Sequence, residues 1–409
     1  MIRRVPVTAL ALLFAAPWVQ ADGHLMARAK EMARKFPIVD THIDVPYRLQ
    51  DSWEDVTRAT RSGDFDYPRA KAGGLTVPFM SIYIPARYET TGGGGKLAHE
   101  LIDSMEALVG RAPEKFAMAY STADVEKNHA AGRISLAMGM ENGTPVDGSL
   151  DNLRLFHERG VRYITLAHSR ANHISDSSYD INRPWGGLSP FGVELVREMN
   201  RIGMIIDISH ITDQAAAQAL ELSTAPVIAS HSSARKFTPG WERNIGDDMI
   251  RAVGKNGGVV GINFGSTFVS PMARGYQEKL SKDREAFMAE QGISDWTDPR
   301  VTEFTNKYKE KAPFPYAKLE DVLDNFDHVV ALAGIDHVGI GSDYDGVGDS
   351  LPENLKDVST YPNLIHGLLQ RGYSEQDIEK ILYKNVMRVW AEVERVARSS
   401  AHAPSHEPQ

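Results

Sequence analysis

Cysteine is absent from all 409 residues. That excludes disulfides, thiolate metal ligands and a cysteine nucleophile, so any metal must sit on histidine and carboxylate. Excess positive charge is also missing: 45 Lys and Arg face 54 Asp and Glu, a net charge of −9, and the pI is near 5.9. This argues against non-specific nucleic-acid binding. No Gly-x-Gly-x-x-Gly follows the first β-rich run, which removes the dinucleotide fingerprint. Gly92 to Gly95 lacks the Gly-Lys-Ser/Thr ending of a phosphate loop and reads as a flexible loop. The C-terminus lacks the apolar tail of a lipid-anchor signal. Hydrophobic and charged fractions of 42% and 24% are ordinary for a folded chain. The length fits two average domains or one large α/β barrel with insertions.

Residues 1–21 read as an export signal. Arg3 and Arg4 precede an apolar run from Val5 to Val19, and Val19-Gln20-Ala21 fits a small-x-small cleavage site. Pro6 and Pro17 break the run, which is short for a membrane span. Val5-Pro6-Val7 matches a twin-arginine signal poorly, and no Cys follows for a lipoprotein anchor. Cleavage after Ala21 removes Arg3 and Arg4 and takes the net charge from −9 to −11. The expectation is a periplasmic or secreted protein with no stable membrane anchor.

Eight β-rich runs begin near Phe36, Val77, Ile134, Val161, Met204, Pro226, Gly258 and Val338. Helical patterns separate most of them, such as Leu97 to Leu108, Pro190 to Arg201, Thr212 to Leu222 and Val322 to Ala333. Several runs are continuously apolar, as parallel strands buried on both faces are. Eight such units predict an α/β fold of the (β/α)₈ TIM-barrel type. Residues 22–397 form this domain, interrupted by a charged helical insertion over 271–316 before the last strand. Ser374 to Val396 reads as a pair of closing helices, and 398–409, rich in Ser, His and Pro, as a disordered tail.

In such a barrel the active site lies at the C-terminal ends of the strands. His42, Asp44, Glu141, His168, His210, His231 and Asp343 all fall at or just past a run's end. Each has an ordinary explanation: Asp343 opens a turn with Tyr344-Asp345-Gly346, and His231 caps a helix. Other histidines, including His99, His129, His157, His366, His402 and His406, sit in helical or tail contexts without such placement. Together the strand-end residues exceed one tetrahedral site. They suit two metals about 3.5–4 Å apart, sharing a carboxylate and a water whose pKa they lower. An iron facial triad needs only two His and one carboxylate.

At these residues the chain resembles the membrane (renal) dipeptidase family of amidohydrolase-like metal-dependent hydrolases. The matching stretches are Asp40-Thr41-His42-Ile43-Asp44, Gly139-Met140-Glu141-Asn142-Gly143, Leu166-Ala167-His168-Ser169, Asp207-Ile208-Ser209-His210, Ser230-His231-Ser232-Ser233-Ala234-Arg235, Arg243-Asn244-Ile245-Gly246-Asp247-Asp248 and Gly341-Ser342-Asp343-Tyr344-Asp345-Gly346. They run in family order over nearly the whole mature chain. The resemblance implies a barrel with two zinc ions and hydrolysis of a dipeptide's peptide bond by a metal-bridging hydroxide. His42 and Asp44 would bind the first zinc, Glu141 would bridge, and His210 and His231 would complete the second. His168 would contact substrate and stabilise the tetrahedral intermediate. Arg243 would hold the substrate's carboxylate, and Asp343 would shuttle the proton. By itself Arg243 reads as a surface ion pair with Asp247 or Glu242; the resemblance reverses that.

Some positions depart from the family pattern. Ile43 and Tyr47 stand where the mammalian enzyme has Asn and Trp, and Pro78-Phe79-Met80-Ser81 replaces a Gln-Phe-Trp-Ser-like run, which bears on side-chain preference. The resemblance also implies acceptance of L-Xaa-D-Xaa dipeptides and a homodimer. Two competing readings are an N-acyl-amino-acid deacylase or lactonase on the same metal site, and a non-catalytic periplasmic binding protein.

Overall fold

The computed structural model describes residues 17–401. Among the described residues there are nine strands: β1 Ile38–Ile43, β2 Leu75–Tyr83, β3 Phe116–Met118, β4 Ile134–Glu141, β5 Val161–Thr165, β6 Ile205–Asp207, β7 Ile228–Ala229, β8 Val259–Ile262 and β9 Val338–Ile340. All pair in parallel. The order β2-β1-β9-β8-β7-β6-β5-β4 closes through a β2–β4 pairing. Eight strands therefore form a barrel ringed by helices, the expected (β/α)₈ fold. Every residue of β1, β4 and β5 is buried, because helices cover the outside and side chains fill the inside.

The ninth strand, β3, lies outside the barrel on the edge of β4. Neither it nor the helix Thr122–Ala130 is foreseen from the sequence. Lys-Phe-Ala-Met-Ala around β3 is short and lacks the β-branched residues that mark the other strands.

Period-two alternation builds the interior in layers. Val39, Val77, Phe79, Tyr163, Ile205, Ile228 and Val259 fill one end of the barrel, closed from below by Trp390 of the last helix. Two residues further along several strands the same face turns polar: Thr165 after Tyr163, Asp207 after Ile205, Ser230 after Ile228. Apolar packing thus anchors the strands below, and chemistry-bearing side chains emerge above.

Capping sets the helices between strands. Ser189 accepts from Gly192 N with Pro190 at the first position, and Gly203 (φ 85°) ends that helix in the left-handed region. The insertion contains two helices, Pro271–Glu290 and Pro299–Lys311, with a small cluster of their own at Met288, Ile293 and Val301. The last helix, Asn385–Ala401, runs into the expected tail. Arg398 reaches Glu394, and the Ser399 and Ser400 hydroxyls bond back to carbonyls one turn earlier. Residues 402–409 lie outside the described residues. So do residues 1–16 of the expected export signal, while Pro17 to Ala21 open the helix Pro17–Lys35. Among the described residues no helix is long and apolar enough to cross a membrane.

Candidate metal centre

The strand-end residues converge on one carboxylate. Glu141, the last residue of β4, places Oε1 at 3.0 Å from His210 Nε2, 3.3 Å from His168 Nε2 and 3.4 Å from His231 Nε2. Its Oε2 lies 3.5 Å from His42 Nε2. His42 is the penultimate residue of β1; the chain then turns, and Asp44 precedes the helix Val45–Asp51, bringing Asp44 Oδ2 to 3.4 Å from His42 Nε2. His210 and Asp343 hold positive φ angles of 69° and 63°, a region non-glycine residues seldom enter and one that clusters at functional sites.

Second partners fix how the imidazoles point. Tyr163 Oη donates to the Thr41 carbonyl at 3.0 Å and lies 2.7 Å from His42 Nδ1. With its proton committed, the phenol accepts from Nδ1–H and leaves His42 Nε2 facing the carboxylates. Ser230 Oγ likewise donates to Asp207 Oδ2 at 2.7 Å and lies 2.7 Å from His231 Nδ1, leaving His231 Nε2 bare. Asp207 also accepts from the Ser209 and Ser230 amides and the Thr165 hydroxyl. Such partners orient metal-binding histidines generally. The sequence reading missed Tyr163 and the roles of Asp207 and Ser230. Only their place within five residues before a strand-end ligand, His168, His210 or His231, could have pointed to them.

This donor set fits a metal. Arg243 Nη2 donates to His210 Nε2 at 3.0 Å, so that nitrogen presents a lone pair. It faces the bare Nε2 of His231 at 2.8 Å. Two buried lone pairs so placed repel unless a cation lies between them and the carboxylates. His42 Nε2 is also buried without a hydrogen-bond partner. The ligand atoms gather in three groups: His42, Glu141 and His231; Glu141, His168 and His210; and His42, Asp44 and Asp343. The predicted pairs His42–Asp44 and His210–His231 both meet, and His168 comes within reach of Glu141 as well.

Electrostatics agree. Burial and then the Arg243 cation push His210 well below the usual imidazole range. Burial, with His42 and Arg243, does the same to His231. Burial opposes charge on His42, but Tyr163, Asp44 and Glu141 outweigh it and raise its pKa well above normal. A proton or a cation at Nε2 would satisfy the same carboxylates. Burial also opposes charge on Glu141, yet His168 and His42 hold it well below the ordinary carboxylate range.

Asp343 and Arg243 flank the cluster. Burial and then Asp44 raise the Asp343 carboxyl to about 8. Asn263 Nδ2 donates to its Oδ2 at 2.6 Å, a further contact absent from the sequence reading. Gly346 allows Asp343 and Asp44 to share this corner, since a Cβ there would strike both carboxylates. Arg243 makes neither expected ion pair: Glu242 bonds Arg183 and Asp213 N, and Asp247 bonds His328. Instead the Arg243 side chain turns inward. It is 2% exposed, donates to Ser232 Oγ at 2.8 Å and stacks over Phe268. His168 is the most open of the four imidazoles, 17% exposed against 0–6% for His42, His210 and His231.

These groups line a cleft of about 600 Å³ that also includes Tyr47, Tyr83 and Tyr179. Of the positions that depart from the family pattern, Tyr47 lines it, whereas Ile43 and Met80 are buried in the core.

Comparison with known proteins follows the same lines. Residues 26–404 match the membrane dipeptidase family, peptidase family M19. Dipeptidase aclJ of Aspergillus oryzae is 33% identical over 386 residues, 91% of this chain and 82% of that protein. Dipeptidase 3 of Mus musculus is 33% identical over 93% of this chain and 69% of its own length. Among solved structures, the probable dipeptidase PvdM of Pseudomonas aeruginosa superposes with a TM-score of 0.81 at 27% identity, covering 92% of this chain and all of that one. A Rhodobacter sphaeroides metallopeptidase bound to a phosphinate mimic of L-Ala-D-Ala gives 0.71 at 25% identity, over 88% of this chain and 99% of that one.

Proposed function

The chain belongs to the membrane dipeptidase family, peptidase family M19, and from that premise we propose that it hydrolyses dipeptides with two zinc ions held by His42, Asp44, Glu141, His210 and His231. The convergence of four imidazoles on the Glu141 carboxylate carries this reading. Bound zinc polarises the scissile carbonyl and makes a water acidic enough to ionise near neutral pH.

The protein's own groups do the rest. Arg243 offers its guanidinium to the substrate's C-terminal carboxylate, a match of planar fork to planar acceptor. That orients the peptide bond toward the cluster. His168 supplies a donor at the carbonyl oxygen, where charge develops in the transition state. Asp343 takes a proton at its free oxygen and returns it to the departing amine, as a carboxylate placed beside the cluster can. Asn263 holds the other oxygen in place.

Cleavage of L-Xaa-D-Xaa dipeptides, export to the periplasm or secretion, and assembly as a homodimer belong to the same reading. The dipeptide mimic held by the structural relative supports the first.

The test is amino-acid release from L-Ala-D-Ala and L-Ala-L-Ala by zinc-loaded protein, with a chelated control and Asp343→Asn alongside. Metal-dependent release that collapses in the variant is expected. Cleavage of the LL substrate alone would remove the D-residue claim. Inactivity of a verified two-zinc protein would redirect attention to N-acyl-amino-acid or lactone substrates. Cell fractionation and light scattering check the location and the dimer.

A further inference from the structure

The cleft does not end at Arg243. Beyond Phe268, over which the Arg243 guanidinium lies at 5.1 Å, a second space of about 450 Å³ opens. The two spaces share Tyr179, Thr267, Phe268, Val347 and Ser350 as walls. The far side of this chamber is built by the 271–316 insertion and by Asp349 of the loop after β9.

Ring faces dominate the chamber: Tyr179, Trp241, Phe268, Tyr276 and Phe314 all line it. Trp241 bridges Phe268 and Tyr179, at 4.9 and 6.1 Å between centroids. Tyr276 meets Phe314 edge to face at 5.4 Å, and its hydroxyl donates to the Ala312 carbonyl. Charge is balanced. Arg274 lies 4.1 Å over the Trp241 ring and is paired with Glu278 at 2.9 Å. Lys309 lines the same chamber as Asp349. With Arg274 neutralised by Glu278 from outside the lining, Lys309 and Asp349 leave no net charge to select an acidic or basic group, whereas the rings present apolar faces suited to stacking.

We propose that this chamber receives the side chain of the dipeptide's C-terminal residue and gives the enzyme a preference for large aromatic side chains there. The inference rests on the dipeptidase reading, in which Arg243 holds the carboxylate of that residue. Its side chain then leaves from the neighbourhood of Phe268, where the chamber opens. The volume is ample for an indole, and pockets of this size are typical of small-ligand sites. The insertion thereby serves the active site by turning an open cleft edge into a walled subsite.

The experiment compares kcat/KM for Ala-Ala, Ala-Phe and Ala-Trp, each with L and D second residues, together with L-Trp-L-Ala. Wild-type enzyme is expected to favour an aromatic C-terminal residue of at least one configuration by about 10-fold or more over Ala, a ratio that hydrophobic pockets commonly reach. Phe314→Ala removes a wall, and Ser281→Trp, at another residue of the chamber lining, fills it. Both should bring that ratio to within about 2-fold of unity while leaving Ala-Ala and L-Trp-L-Ala cleavage unchanged, which also shows that the variants fold. Absence of the preference in wild type, its survival in both variants, or an equal loss on L-Trp-L-Ala would overturn the assignment. Failure to cleave Ala-Ala in either configuration would instead overturn the dipeptidase reading beneath it.

Discussion

Tyr163 and His42 are joined across the barrel: the phenol oxygen of one lies 2.7 Å from Nδ1 of the other. The ring of Tyr163 crosses over Gly139 of β4, where any Cβ would collide with it. Its own proton goes to the Thr41 carbonyl. A residue from β5 therefore decides which nitrogen of a β1 histidine faces the metal cluster.

Tyr163→Phe removes that acceptor while keeping the ring. Metal affinity should fall about 10–100-fold, the usual effect of losing such a partner. Competition with a chromophoric chelator measures it. Unchanged affinity would mean that the phenol does not set the tautomer.

Ser230→Ala should act on the other side of the cluster. It leaves His231 Nδ1–H buried without an acceptor and takes one donor from Asp207. We expect a stability loss of about 1–3 kcal/mol together with weaker metal binding. Denaturant titration and chelator competition, run on the same samples, check both.

Chelation should destabilise the protein. Without a cation, the facing nitrogens of His210 and His231 and the crowded Glu141 carboxylate lose their common partner. Metal at about 1,000 times its Kd stabilises by about 4 kcal/mol, so Tm should drop by roughly 5 °C or more when it is stripped. Calorimetry with and without chelator, followed by zinc addition, measures the drop and its reversal.

Arg243→Lys keeps the charge but loses the two-pronged geometry. A reduction of about 10–100-fold in kcat/KM, carried mainly by KM, is expected from the loss of a charge-assisted bond. Steady-state kinetics on L-Ala-L-Ala give the split. An effect confined to kcat would place Arg243 elsewhere in the reaction.

His157 provides a pH prediction away from the active site. Burial and then Arg162 push its pKa down to about 4, against about 6.5 in the unfolded chain. The unfolded state therefore binds the extra proton in this window. The stability tied to a neutral His157 is complete above about pH 6.5 and is lost as pH falls toward 4. Discounted for partial exposure, this is about 1 kcal/mol between pH 7 and pH 5. His157→Asn should flatten that part of the Tm-against-pH curve relative to wild type.

The barrel was legible because its signal is repetitive. Eight apolar runs, spaced by helical patterns, leave few other architectures. The strand-end ligands were legible for a related reason: once the strands are placed, the fold itself sends their last residues to one face. β3 escaped because a three-residue strand outside the repeat has no period to detect. Arg243 was singled out only by the family resemblance, because its neighbours in sequence, Glu242 and Asp247, offered partners that the folded chain uses elsewhere.

What the sequence by itself determined is the set of ligand-type side chains and the rule that gathers them: hydrophobic periodicity places strands, and strands place their ends. Only the tertiary structure decided which nitrogen each histidine presents, that Asn263 steadies Asp343, that Gly139 makes room for Tyr163, and that the insertion walls a chamber beside Arg243. Those outcomes rest on contacts between residues far apart in the chain. Such contacts follow from packing in three dimensions, to which local sequence pattern carries no direct reference.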